Sequence, residues 1–207
     1  MDNEKLFIPI LLGTVRQGRE SEKVAKFLFE RVRKNSQIET ELLDPRLMNL
    51  PMDNEGEDLK FINPGYRNAI MRADGLIIVS PEYNHGYPGS LKRALDILLK
   101  EYIHKAVGLV GVSSGSWGGT RVIEKLVSVV RELGLVVTFA DLNFPKVENL
   151  FDEQGKLMDE AFNARIDRFL AELVWMSTVL RWGRQNLPSK FDAQIAKLEA
   201  EWQEKTK

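Results

Sequence analysis

No cysteine occurs in these 207 residues. Disulfides, thiolate chemistry and zinc–thiolate sites are therefore excluded, and the composition suits a reducing cytoplasm. No apolar run approaches the length of a membrane span, so the chain reads as soluble with no membrane partner. An excess of either charge is missing as well. With 29 Lys and Arg against 30 Asp and Glu, the formal net charge of −1 gives no electrostatic reason to expect nucleic acid. Internal repeats and low-complexity segments are absent. The opening MDNEKLFIPILLGT has acidic residues before its apolar run and no small-residue cleavage site, so it reads as a first strand and not as a signal peptide.

What the chain does have is alternation. LFIPILLGT (6–14) reads as a buried strand, and SEKVAKFLFERVRKN (21–35) as a helix with Val24, Ala25, Leu28 and Val32 on one face. IETELLD (38–44) has a half-buried strand pattern, followed by a polar, exposed excursion from Pro45 to Pro64. A short helix in GYRNAIMRAD precedes a third strand, GLIIVS (75–80), and LKRALDILL reads as the next helix. AVGLVGVS (106–113) is a fourth strand, and GGTRVIEKLVSVVRELG (118–134) a helix whose last glycine is placed for a C-cap. LVVTFADLNF (135–144) is a fifth strand, and a long helix spans 159–182. Five strands alternating with helices predict a doubly wound α/β fold, with a parallel sheet in the order 2-1-3-4-5 and helices on both faces.

In such a sheet, ligands bind outside the carboxyl ends of the strands. GTVRQGRES (13–21) follows strand one. Gly13 permits a tight turn, Thr14 supplies a hydroxyl, Arg16 and Arg19 supply cations, and Ser21 stands where an N-cap belongs. Free helix amides beside hydroxyls and an arginine suit a phosphate; the plainer reading is a capped helix with solvated arginines. PEYNHGYP (81–88) follows strand three. Tyr83 and Tyr87 can wall a planar heterocycle, and Asn84 and the backbone can meet its polar edge; a rigid strand–helix connection is the alternative. SSGSWGGT (113–120) follows strand four and brings glycines, serines and a tryptophan to the same edge.

The P-loop pattern and the G-x-G-x-x-G fingerprint are both missing, which favours a mononucleotide over a nucleoside triphosphate or a dinucleotide cradle. GVSSG (111–115) matches the nucleophile elbow of hydrolases. That fold needs its histidine after the serine, and His85 and His104, the only two, both precede Ser113. A hydrolase is rejected.

On GTVRQGRES, PEYNHGYPGSLKRALD and SSGSWGG, the sequence resembles the NADPH-dependent FMN reductase family over residues 6–183. The Pro-Glu-Tyr-Asn run is the specific motif. The resemblance implies a flavodoxin-like three-layer sandwich with FMN as cofactor and NADPH as co-substrate. It places Thr14, Arg16 and Ser21 on the FMN phosphate, Pro81, Glu82, Tyr83 and Asn84 along the isoalloxazine, and Ser114, Gly115, Gly118 and Gly119 on its other side. Arg19 stands where many members have a serine, and Gly86 where many have another. The implied reaction is ping-pong, from NADPH to flavin and then to a small-molecule acceptor such as a quinone, azo compound, chromate or free flavin. The chemistry then belongs to the cofactor, and no side chain is assigned a catalytic role. A flavin-binding electron carrier or redox sensor is the alternative. The resemblance also implies a homodimer or homotetramer.

Residues 1–186 read as the FMN-binding domain and 187–207 as an amphipathic helical extension. Phe191, Ile195, Leu198 and Trp202 form one stripe of that tail. It suits packing on the protein's own body and packing on another subunit equally.

Overall fold

A computed structural model describes residues 4–51 and 58–206. In chain order its strands and α-helices are β1 (Leu6–Phe7), β2 (Ile10–Leu12), α1 (Ser21–Val32), β3 (Ile38–Glu39), β4 (Leu42–Leu43), α2 (Pro64–Arg72), β5 (Gly75–Pro81) and α3 (Gly89–Asp96), then β6 (Ala106–Val112), α4 (Thr120–Glu132), β7 (Val136–Val137), β8 (Leu142–Phe144), α5 (Ala161–Asn186) and α6 (Asp192–Lys205). All strand pairs are parallel. The main sheet runs β4-β2-β5-β6-β7, β8 also pairs with β6, and β1 pairs with β3 in a small second sheet.

The α/β class is as expected, but the five expected strands are not five pieces. The first is broken at Pro9, which has no N–H to give a ladder. The second is broken at Thr40, whose hydroxyl donates to the Ile8 carbonyl at 2.7 Å. The fifth divides into β7 and β8, with the Thr138 hydroxyl turned toward the Val107 carbonyl at 3.3 Å.

The period-two pattern of β5 divides the core. Ile77 and Val79 pack with α1 and α5 on one face, while Leu76 and Ile78 pack with α2, α3 and α4 on the other. Val24, Ala25, Leu28 and Val32 are all buried, as their spacing predicts. Gly134 ends α4 with φ +85°, and Leu135 N donates back to the Val130 carbonyl at 3.0 Å. No helix among the described residues is long and apolar enough to cross a membrane.

The excursion after β4 is less exposed than its polarity predicts. Residues 52–57 lie outside the described residues, but Pro45, Leu59 and Asn63 on either side are buried. The Asn63 side chain accepts from Asn49 N at 2.8 Å and donates to Asn49 O at 3.0 Å, so one amide joins both ends. The C-terminal stripe packs on the protein's own body. Trp202 is buried, stacks on Phe61 with centroids 5.5 Å apart, and lies 4.2 Å from the Arg67 guanidinium carbon.

At the amino end of β5, Asp74 anchors α5 to the sheet. Its carboxylate accepts from Phe7 N at 3.0 Å, from Arg184 at 2.7 Å and from Arg181. Lys105 is buried nearby and donates its ammonium to the Ile70 and Met71 carbonyls at the end of α2. Burial, aided by the Arg184 cation, pushes Lys105 down to about 7.

An unfolded lysine titrates near about 10.4, so between the two values the unfolded chain holds the extra proton and stability rises with pH. Urea unfolding near pH 7 and near pH 9.5 should show this rise in the native protein and a flatter response in Lys105→Met. An unchanged slope in the variant would remove Lys105 as its source.

Candidate functional site

Three loops meet at the carboxyl edge of β2, β5 and β6. Gly13 N donates to Val79 O at 2.8 Å and carries the β2–β5 ladder one step further. A Cβ at Gly13 would lie 2.9 Å from Ser80 Cα. Glycine is therefore needed for close approach between strands, where the sequence suggested a tight turn.

Beyond Gly13 the chain is held by guanidinium groups. Arg19 is buried, donates to the Thr14 carbonyl, spans both oxygens of Asp44, and reaches Glu22 at 3.1 Å. Burial alone would raise the Asp44 carboxyl, but hydrogen bonds from Arg19 and from Arg46 N hold it below its ordinary value. The Asp44 contact raises Arg19 in turn, against its own burial. Arg46 donates to the Val15 carbonyl at 3.1 Å and to the Arg16 carbonyl.

With the Thr14, Val15 and Arg16 carbonyls turned toward cations, peptide planarity sends the next N–H groups the other way. Arg16 N donates to the Thr14 hydroxyl at 3.2 Å, and the Val15 and Gln17 amides face away from the cations that hold the Thr14 and Arg16 carbonyls. Arg19 is thus a structural cation and cannot serve as a free one. Arg16 is exposed, its guanidinium carbon 5.9 Å from the Tyr83 ring centroid. Ser21 is not the N-cap either. It is the first helical residue after Glu20, no side chain caps the helix, and its buried hydroxyl has no hydrogen-bond partner.

The second loop begins where β5 ends. Glu82 N donates to Val112 O at 2.9 Å, so the β5–β6 ladder continues past Pro81. Tyr83 and Gly86 then exchange two backbone hydrogen bonds, each 2.9 Å. Between them Asn84 and His85 both have positive φ, at 49° and 64°. This is a two-residue turn with both central residues left-handed, a conformation in which asparagine is at home and histidine less so. The tyrosine hydroxyl at its base lies 3.1 Å from the Thr14 hydroxyl. The loops after β2 and β5 are therefore in direct contact.

Glu82 follows the even-numbered face of β5, toward α3 and α4. Its Oε1 is 3.5 Å from Arg121 Nη1, while Oε2 is buried without a hydrogen-bond partner. Pro81 and Tyr83 are half-buried and Asn84 is exposed.

In the third loop Ser114 and Gly115 are exposed, and Gly118 and Gly119 are buried. The buried pair adopts φ of 61° and 80°. A Cβ at Gly119 would lie 2.6 Å from Val112 N, so glycine here lets the start of α4 rest on β6. The Ser113 hydroxyl donates to Gly115 O at 3.0 Å, as a loop brace and not as a nucleophile paired with histidine. Lys146 N donates to the same carbonyl at 3.1 Å.

The structure brings Thr14, Arg16, Pro81–Asn84, Ser114 and Gly115 to one edge. Sequence reasoning missed Asp44, Arg46 and Arg121. An Asp-Pro-Arg run directly after a strand was the available signal for the first two, since Asp44 accepts from Arg46 N at 3.0 Å in an Asx turn.

A family model described as NADPH-dependent FMN reductase matches residues 8–149. An NADPH azoreductase from a Bacillus species (strain OY1-2) is 32% identical over 156 residues, covering 73% of this chain and 82% of the relative. A quinone reductase from Pseudomonas putida is 28% identical over 180 residues, covering 78% and 91%. Among solved structures, FerB from Paracoccus denitrificans, a flavoenzyme NAD(P)H:(acceptor) oxidoreductase, superposes with a TM-score of 0.68 at 18% identity. It covers 84% of this chain and 98% of its own, and carries the fold assignment alone.

The left-handed turn gives a direct test. His85→Gly should raise the melting temperature, and His85→Val should lower stability by about 1–2 kcal/mol, because a β-branched residue resists positive φ. Equal melting of all three proteins would mean that residue 85 does not need this conformation.

Proposed function

The chain belongs to the NADPH-dependent FMN reductase family, taking hydride from NADPH onto FMN, and we propose that the flavin lies across the edge where these three loops converge. One observation carries this reading: the 3.1 Å contact between the Thr14 and Tyr83 hydroxyls, which sets a phosphate-type loop one tyrosine's length from a planar-ligand loop. The residues fit such a ligand. The Val15 and Gln17 amides, the Thr14 hydroxyl and the exposed Arg16 can hold the phosphate. Pro81, Glu82, Tyr83 and Asn84 can line one side of the ring, and Ser114, Gly115 and the Gly118–Gly119 backbone the other. Open space beside Gly115, where an added Cβ would meet nothing, leaves room there. Ser21 would join only by turning its hydroxyl out of the core.

Bound FMN supplies the hydride and electron chemistry; the protein binds it, orients it and leaves a face open. Small-molecule acceptors of the quinone and azo type fit that open face, as the names of the relatives suggest. The carrier alternative is disfavoured by the arginine in the phosphate loop.

We read residues 1–186 as the FMN-binding domain and 187–207 as its extension, in a cytoplasmic homodimer or homotetramer. Trp175, Val179 and Trp182, exposed along one side of α5, supply apolar surface for such an assembly. Leu6 faces Ile38 and Ile10 faces Leu42 in one register, which supports counting the first two broken strands as continuous. β7 and β8 both pair with β6, though their register shifts by two residues between Ala106–Val136 and Val110–Leu142, and this shared partner supports the order 2-1-3-4-5.

Arg16→Ala should raise the Kd for FMN at least about tenfold and leave that for riboflavin within about twofold, because riboflavin lacks the phosphate. Equal losses for both ligands would take the phosphate away from Arg16.

A further inference from the structure

Two side chains, one on the β6–α4 connection and one in the first turn of α4, have no role in the flavin reading. Trp117 is 66% exposed, a large indole left in water on the rim of the ligand edge. Four residues on, the Arg121 guanidinium carbon sits 5.5 Å from the indole centroid. The Arg121 side chain is 40% exposed, and its carboxylate partner, Glu82, is 3.5 Å away, at the outer limit of a hydrogen bond. A guanidinium has five N–H donors in a planar fork, so most of this one is unspent.

The platform beneath them is hydrogen-bonded across three elements. The Trp117 carbonyl accepts from Thr120 N at 3.1 Å and from the Thr120 hydroxyl at 2.7 Å. Asn143 donates to Gly118 O at 3.4 Å and to the Thr120 hydroxyl at 3.3 Å. Glu82 is itself fixed by the end of the β5–β6 ladder and holds the guanidinium from below. Arg121 lies in the first turn of α4, where the helix dipole favours a negative ligand.

We propose that Trp117 and Arg121 form the seat for the adenosine 2′-phosphate end of NADPH. The open surface of the indole carries the adenine by stacking, and the free part of the guanidinium fork takes the phosphate dianion. NADH, which has a hydroxyl in place of that phosphate, leaves Arg121 with Glu82 alone. Glu82 acts as a positioning residue. The assignment deepens the flavin reading and rests on it, since it places the co-substrate beside a flavin on the same edge.

The test is calorimetric titration of the purified full-length protein with adenosine 2′,5′-bisphosphate and with adenosine 5′-monophosphate. The native protein should bind the bisphosphate at least about tenfold more tightly, a difference of about one decade in Kd. Arg121→Ala should bring the two within about twofold, and Trp117→Leu should weaken both while keeping most of the ratio. A native protein that does not discriminate, or an Arg121→Ala protein that discriminates as before, would overturn the seat. A second readout is the rate of flavin bleaching by NADPH relative to NADH, whose ratio should fall in Arg121→Ala; an unchanged ratio would count against the seat equally. The adenosine probes need no flavin. Failure of FMN uptake would refute the flavin reading, while a native protein that takes up FMN but does not discriminate between the two adenosine phosphates would refute the seat alone.

Discussion

The ladder between β5 and β6 is the constraint on which the site depends. Seven consecutive pairs run from Gly75 opposite Ala106 to Pro81 opposite Val112, and the Glu82 amide adds one more bond. Parallel register of that length fixes the height at which both strands release their loops. The β2 end is levelled against the same strand by the Gly13 amide. Three loops thus start at one edge because backbone hydrogen bonds place them there, and their side chains are free to specialise.

How the loop after β2 is held shows why part of the site was legible in sequence and part was not. Arg16 and Arg19 look equivalent in GTVRQGRES. Their fates diverge because Asp44, brought alongside by the β2–β4 pairing, captures Arg19 and leaves Arg16 in solvent. No local pattern announces that choice. The core faces were readable because periodicity is local: Val24, Ala25, Leu28 and Val32 needed only the helical repeat. The break at Pro9 was in plain view, while those at Thr40 and in the fifth strand depend on side chains competing for carbonyls across the sheet. Asn84-His85 contains no glycine and so hides its left-handed turn, which only the paired bonds between Tyr83 and Gly86 reveal. The tail was undecided in sequence because its partners, Phe61 and Arg67, lie far from Trp202 along the chain and meet it only in the fold.

On the proposed reading, division of labour explains why no side chain at this edge is assigned an acid–base role. A flavin brings its own reactivity, so the protein has to hold a phosphate, frame a ring and admit a second ligand. On the proposed reading, Thr14 and Arg16 answer the first need, the Pro-Glu-Tyr-Asn turn the second, and the Trp117–Arg121 corner the third. Charges used for architecture, at Arg19–Asp44 and at Asp74 with its two arginines, are separate from Arg16, which is exposed.

The most direct test of the account is the absorbance spectrum of the purified protein before and after anaerobic addition of NADPH. Oxidised flavin bands near about 370 and about 450 nm that bleach promptly with NADPH are the expected result for a flavin enzyme. Flavin bands that persist after NADPH would contradict the reductase and leave a carrier, and a colourless protein that takes up no added FMN would contradict the account as a whole.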